Sequence, residues 1–262
     1  MLREIRTKVF GVLNGLDYEE FNPNKDKILK YAYDVEHLGS RIKNKAVLQG
    51  EFGLREDPNV PILAIEGRMA KQKGIDLLMK VLPFLLSEYD LQFVAMGGGE
   101  NDYRMFFEDL EKKFPGKVGT HLTPNWTLPR HIFSGADIFL LPSIWEPGGI
   151  VIMEAMRYGA IPVVRSTGGL ADVVTDYNPS KGTGTGFSFK NYNEWSLFAT
   201  IIRALEVFKN KPAWRRMQKR AMKMDFSWEH SAWKYLDLYE RALEFRKEML
   251  SPKPHMAYHD NE

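Results

Sequence analysis

The sequence predicts an α/β fold: a parallel sheet with helices on both faces, followed by a set of carboxyl-terminal helices. Three observations carry this. Short apolar runs of strand length alternate with longer stretches whose apolar residues recur at helical spacing. A turn, often rich in glycine, closes each run before the next helix, and that recurring order is the pattern of parallel strands joined by helical crossovers. The last seventy or so residues carry helical patterns only.

The elements follow in order. Residues 8–13, KVFGVL, read as a short strand running into the turn sequence NGLD at 14–17. Asn22-Pro23-Asn24 makes another turn. Residues 34–52 read as a helix whose basic residues Arg41, Lys43 and Lys45 punctuate an apolar face, and Pro58 then breaks the chain. A strand at 60–66 ends in Gly67-Arg68, and Lys73-Gly74 opens a helix at 75–88. A strand at 91–96 ends in Gly97-Gly98-Gly99, followed by a helix at 102–114, a strand at 117–122, a short helix at 128–135 and a strand at 137–141.

The segment 145–170, WEPGGIVIMEAMRYGAIPVVRSTGGL, is the centre of the chain. Glu146 is followed at once by Pro147, Gly148 and Gly149. A helix from Ile150 carries Glu154 and stops at Gly159. Residues 161–164 form a buried strand, and Thr167, Gly168 and Gly169 make a second glycine turn before a helix from Leu170. A strand at 184–189 precedes helices at 193–208, 213–222 and 228–249, with Ser227 as the cap of the last one. Its aromatic residues Trp228, Trp233, Tyr235 and Tyr239 are expected to pack. Residues 251–262 read as a frayed, disordered tail. The domain plan is a lead-in at 1–58, an α/β domain with terminal helices at 59–250, and the tail.

Composition narrows the function. The 262 residues include 36 Lys plus Arg against 34 Asp plus Glu, a net charge of +2, so no bulk charge favours nucleic acid or an anionic membrane. Cysteine is absent, which excludes disulfides, thiolate metal sites and a Cys nucleophile. The one H-x-x-x-H spacing among the six histidines, His255 to His259, falls in the frayed tail, no paired Asp motif marks a metal, and G-x-S-x-G is missing. No metal or cofactor is therefore expected. Without a signal peptide or a membrane-spanning apolar run, the expected location is the cytoplasm.

The polar residues gather after strands. Arg68, Gly97, Glu146 and Thr167 each follow a predicted strand, so a parallel sheet would bring them to one rim. Two glycine turns that open helices would add free N–H donors, and helix N-termini favour anions. The ligand this suggests is anionic and hydroxyl-rich. Arg68 and Lys73, in GRMAKQKG at 67–74, suit a diphosphate, one as a fork of donors and the other as a point charge; the alternative is two solvated surface charges. Gly97-Gly98-Gly99 reads as close packing against a sugar nucleotide, since it lacks the spacing of a dinucleotide fingerprint. Glu146 suits sugar hydroxyls, the alternative being a helix-capping carboxylate. Glu154, two turns on, would reach another part of an elongated ligand, the alternative being a solvated helix face.

As a set, NGLD, GRMAKQKGIDLL at 67–78, GGGE at 97–100, the run 135–174, GTGF at 184–187 and FSWEHSA at 226–232 resemble the carboxyl-terminal half of bacterial and archaeal glycogen (starch) synthases, over roughly residues 8–245. The resemblance implies a Rossmann-like domain, one half of a GT-B fold. It also implies retaining transfer of glucose from ADP-glucose or UDP-glucose to the non-reducing end of an α-1,4-glucan. By position, Arg68 and Lys73 would hold the diphosphate, Glu146 the transferred glucose, and Gly148 and Gly149 the same sugar through their amides. Glu154 would hold the ribose, Gly98 would line the nucleotide, and Thr167, Gly168 and Gly169 would turn amides to the phosphates. The Ile-Met-Glu-Ala-Met setting of Glu154 is closer to sucrose-type and archaeal relatives, and 123–129 gives no firm base-stacking residue. The amino-terminal lysine-glycine-glycine-leucine motif is not here, so the chain is expected to bind a sugar nucleotide weakly and to transfer little glucose without an acceptor domain. Half of a different GT-B transferase, or a non-catalytic nucleotide-binding module, are the competing readings.

Overall fold

The structure is a computed structural model and describes residues 9–250. The tail at 251–262 and Lys8 of the expected first strand lie outside the described residues. The described residues divide into two compact units, residues 16–225 and residues 9–15 with 226–250.

The larger unit is a six-stranded, wholly parallel sheet in the order β3-β2-β1-β4-β5-β6. After a 3-10 turn at Leu38–Ser40 comes α1 (Arg41–Glu51), then β1 (Ile62–Glu66), α2 (Ile75–Glu88), β2 (Gln92–Met96), α3 (Asn101–Lys113), β3 (Val118–His121), α4 (Leu128–Gly135) and β4 (Ile138–Leu141). The second half adds α5 (Ile150–Arg157), β5 (Ile161–Arg165), α6 (Gly169–Val173), β6 (Phe187–Phe189), α7 (Glu194–Lys209) and α8 (Lys211–Met222). The chain winds outward from β1 to β3, returns to place β4 on the other side of β1, and winds outward again. The order therefore reverses between β1 and β4, whose partners are Leu63 with Ile138 and Ala64 with Phe139. In open α/β sheets ligands bind outside the carboxyl ends of the strands at such a switch point.

The strands are apolar on both faces because helices cover both: β2 and β4 are buried at every position. Aromatic residues fill the space between sheet and helices, with Phe133 and Phe139 at 5.5 Å and Phe93 and Phe107 at 5.8 Å between ring centres. Three sequence expectations are corrected. The helix expected from 34 begins at Arg41, because the Asp34 carboxylate accepts the amides of Glu36 and His37 and holds that stretch in a turn. The strand expected at 184–189 shortens to β6, since Gly184 sits at φ 105° and turns the chain. Residues 9–13 form no strand. An apolar run becomes a strand only when a neighbour satisfies its backbone, and no strand pairs with this one among the described residues.

The smaller unit holds residues 9–15 and α9 (Trp228–Leu250). The Ser227 hydroxyl accepts the amide of His230, the cap expected from the sequence. Against expectation, the aromatic residues of α9 are not packed: Trp233 and Tyr239 are 66% and 64% exposed. No described helix is long and apolar enough to cross a membrane.

Candidate functional site

Two loops face each other across the switch point. The first, 67–74, leaves β1; the second, 142–149, leaves β4. Their backbones are in direct contact. Gly74 has φ 77°, and a Cβ there would lie 2.2 Å from the Pro142 carbonyl, so only glycine lets the loops approach this closely. The Ile144 amide donates to the Gln72 carbonyl at 2.8 Å, and Gln72 Nε2 to the Trp145 carbonyl at 3.4 Å. Arg165, at the end of β5, donates from Nη1 to the Ile144 carbonyl and braces the second loop from the other side.

This contact brings Lys73 to Glu146. The Lys73 Nζ donates to Glu146 Oε2 at 2.6 Å, with side chains 19% and 11% exposed, and the Ser143 hydroxyl stands 3.5 Å from the same oxygen. Arg68 is exposed beside them and donates to Gln72 Oε1 at 2.9 Å. Thr167 follows β5 and the triple glycine follows β2, so every candidate loop lies at the carboxyl end of a parallel strand.

The glycines separate by what they touch. A Cβ on Gly97 would lie 1.9 Å from the Gly67 carbonyl, and one on Gly99 2.1 Å from the Met69 carbonyl. These two pack against protein backbone, which corrects the reading of the whole turn as packing against a ligand. A Cβ on Gly98 would make ordinary contacts, with Pro124 Cδ at 3.6 Å and the Leu122 carbonyl at 4.0 Å, and Gly98 lines a groove of about 600 Å³ together with Glu66, Arg68 and Trp126. Trp126 is 93% exposed on that groove. A Cβ on Gly148 would meet nothing within 4 Å, whereas Gly149, at φ 67°, opens α5 in a left-handed conformation. Neither α5 nor α6 carries a side-chain cap, so their first-turn amides are not spent in that way.

One amide expected to face phosphate is already committed. Gly169 donates to the Glu146 carbonyl at 3.0 Å, and a Cβ on Gly168 would lie 2.2 Å from the same oxygen. The 167–169 turn therefore holds Glu146 in place. The amides of Thr167 and Gly168 have no backbone acceptor among the described residues.

Glu154 is not a solvated helix residue. Burial, reinforced by the charge of Glu66 and offset in part by Arg130, pushes its carboxyl from an ordinary 4.5 up to about 7. Glu66 shifts upward too, by burial against the pull of Lys73. Periodicity alone marks Glu66 only as the last residue of a strand. The signal that could have found it is a charged residue ending an otherwise apolar run, at the strand end that faces the rim. Arg165 ends β5 in the same way and was missed for the same reason.

A doubly wound parallel sheet whose loops set a carboxylate, a lysine and open glycine turns around its switch point is the Rossmann-like half of a GT-B fold. The chain belongs to the glycosyl transferases group 1, whose pattern matches residues 50–224. Curated relatives include the glycogen synthase of Clostridioides difficile, 44% identical over 91% of this chain and 50% of its own length, and that of Thermosipho africanus, 41% identical over 94% and 51%. The chain thus spans about half the length of the curated relatives it matches. Among solved structures, the catalytic domain of starch synthase IV from Arabidopsis thaliana, bound to ADP and acarbose, gives a TM-score of 0.85 at 32% identity over 93% of this chain and 51% of that one. Sucrose-phosphate synthase from Thermosynechococcus elongatus shares the fold, with a TM-score of 0.63 at 20% identity over 93% and 55%.

Proposed function

We propose that this chain is the donor-binding half of a retaining glucosyltransferase that moves glucose from ADP-glucose or UDP-glucose to the non-reducing end of an α-1,4-glucan. The observation that carries the reading is the Lys73–Glu146 pair across the switch point, with Arg68 and the open glycine turns on the same rim. The glycogen synthases and the ADP-bound starch synthase that the chain resembles support the choice of substrates.

In this reading Arg68 and Lys73 neutralise the diphosphate and Glu146 accepts hydrogen bonds from the hexose hydroxyls. Gly148 and Gly149 offer amides to the same sugar, Glu154 takes the ribose, and the amides of Thr167 and Gly168 face the phosphates. Gly169 serves by fixing Glu146, and Gly98 leaves the groove open for the nucleoside. In the reaction the bond between the glucose anomeric carbon and the phosphate oxygen breaks, and a bond to the acceptor hydroxyl oxygen forms on the same face. The acceptor's proton passes to the departing diphosphate. That group gains negative charge as it leaves, so cations and amides fixed around it stabilise the transition state more than the ground state.

These 262 residues supply one side of the cleft, and a cleft open to water transfers little. Supplying an acceptor-binding half restores transfer, and the assembled enzyme works in the cytoplasm. Calorimetric titration with ADP, UDP and their glucose conjugates tests the donor. Glucosyl transfer to glycogen, measured with and without an acceptor half, tests the reaction. Nucleotide binding with no transfer in either case would mark a binding module, and transfer only to small acceptors a different GT-B enzyme.

A further inference from the structure

The end of the sheet opposite the switch-point rim holds a second cavity, of about 210 Å³. Asp137, the residue before β4, lies in its wall, with Arg41 and Lys45 from α1 and Lys211, Trp214 and Arg215 from α8. Four cations therefore face one carboxylate.

That carboxylate is already spent. Asp137 Oδ2 accepts from Lys45 Nζ at 2.7 Å and from the Ile62 amide at 3.0 Å, and Arg41 Nη1 stands 3.9 Å from Oδ1. Arg41 and Lys45 are 5% and 3% exposed; they share this single buried anion, and their other donors go to backbone carbonyls, those of Phe133, Ala136 and Tyr158 for Arg41 and those of Pro58 and Val60 for Lys45. The carbonyls satisfy the hydrogen bonds but carry no full counter-charge, so the cluster keeps a net positive charge. The other two cations deepen the imbalance. Lys211 and Arg215 form no ion pair among the described residues, although they stand one turn apart on α8. Like charges at that spacing repel, and Lys211 also sits at the positive end of the helix dipole. Its side chain is exposed overall, but its ammonium lies over the Phe208 ring at 3.2 Å, and the partial desolvation there holds its pKa below the ordinary lysine value.

We propose that this cavity binds a compact phosphate-type anion, either free phosphate or the phosphoryl group of a small metabolite, between Lys211 and Arg215 and above the Arg41–Lys45–Asp137 cluster. Its volume falls below the roughly 300–1,000 Å³ of ordinary small-molecule pockets, too small to enclose a nucleotide. Phosphate matches the Arg fork and the Lys point charge, and its negative charge offsets the surplus. The site is separate from the donor rim, because Asp137 precedes β4 whereas Glu146 comes after it.

The test is calorimetric titration of the full chain with inorganic phosphate and, in a second arm, with glycerol 3-phosphate. Two double variants are compared, Lys211→Ala with Arg215→Ala and Arg68→Ala with Lys73→Ala. Both residues of the first pair are exposed, so that variant folds. The proposal expects saturable binding that weakens about tenfold or more in the 211/215 variant, the loss of two charge-assisted contacts. It expects binding to persist in the 68/73 variant and in Lys211→Arg. A two-component isotherm that loses one component in each double variant supports it equally, and the tighter arm identifies the source of the phosphoryl group. Absence of saturable binding, or binding unchanged in the 211/215 variant, overturns it.

Discussion

Lys73 Nζ and Glu146 Oε2 lie 2.6 Å apart, although 73 positions separate them in the chain. The pair closes the gap between the loops after β1 and β4 and neutralises two charges at the mouth of the proposed donor site. In the proposed function a diphosphate entering there would compete with Glu146 for the lysine, which would leave the carboxylate to accept from sugar hydroxyls.

Removing the cations should separate their roles. Arg68→Ala and Lys73→Ala should each weaken ADP binding by about 1–3 kcal/mol, the scale of a lost charge-assisted hydrogen bond. Lys73→Ala should also lower the melting temperature, because Glu146 stays largely buried with its partner gone. Arg68→Ala should not, since its side chain is exposed. Titration calorimetry and thermal melts of both variants give the comparison; unchanged affinity in both would remove these residues from the site.

Glu154 makes stability depend on pH. Its folded pKa of about 7 lies above the unfolded 4.5, so the folded state binds the proton more tightly and loses stability as pH rises across that window. Glu154→Gln cannot ionise. Relative to the parent its melting temperature should therefore rise as pH increases from about 5 to about 7, the span between the two pKa values, and level off above it. A flat difference over that range would contradict the burial of this carboxyl.

The glycine turns should respond unequally. Gly168→Ala places a Cβ against the Glu146 carbonyl from φ 48°, ψ −137°, a conformation open essentially to glycine. It should cost about 1–3 kcal/mol in backbone strain and reduce donor binding by displacing Glu146. Gly148→Ala meets nothing within 4 Å and should leave stability within about 0.5 kcal/mol. Any loss in that variant should appear in ligand affinity alone.

Trp126 offers a large exposed ring on the groove beside Gly98. Stacking of a base on such a ring is worth about 1–3 kcal/mol, so Trp126→Ala should weaken ADP binding on that scale while the melt stays unchanged. Equal affinity for ADP before and after the change would place the base elsewhere.

Local patterns settled a good deal of this fold in advance. Helical spacing places α2 and α4 at their observed limits, because an amphipathic period and a glycine or proline boundary are properties of neighbouring residues. Strand ends capped by polar turns likewise mark the rim loops: once the strands are parallel, the loop after each one emerges on the same side. Residues 9–13 show where that logic stops, since a strand needs a partner that no local run can specify.

The sequence by itself determined the kind of fold and the set of loops that meet at one rim. Tertiary structure alone decided the rest. It set β1 beside β4, which turned Lys73 and Glu146 into a contact pair; it spent the Gly169 amide on Glu146; and it buried Glu154, with the charge of Glu66 adding to the effect, so that its carboxyl is pushed up to about 7. The reason is physical. Periodicity and turn chemistry act over a few residues, whereas ion pairing, burial and hydrogen-bond satisfaction depend on which distant segments the packed core brings together.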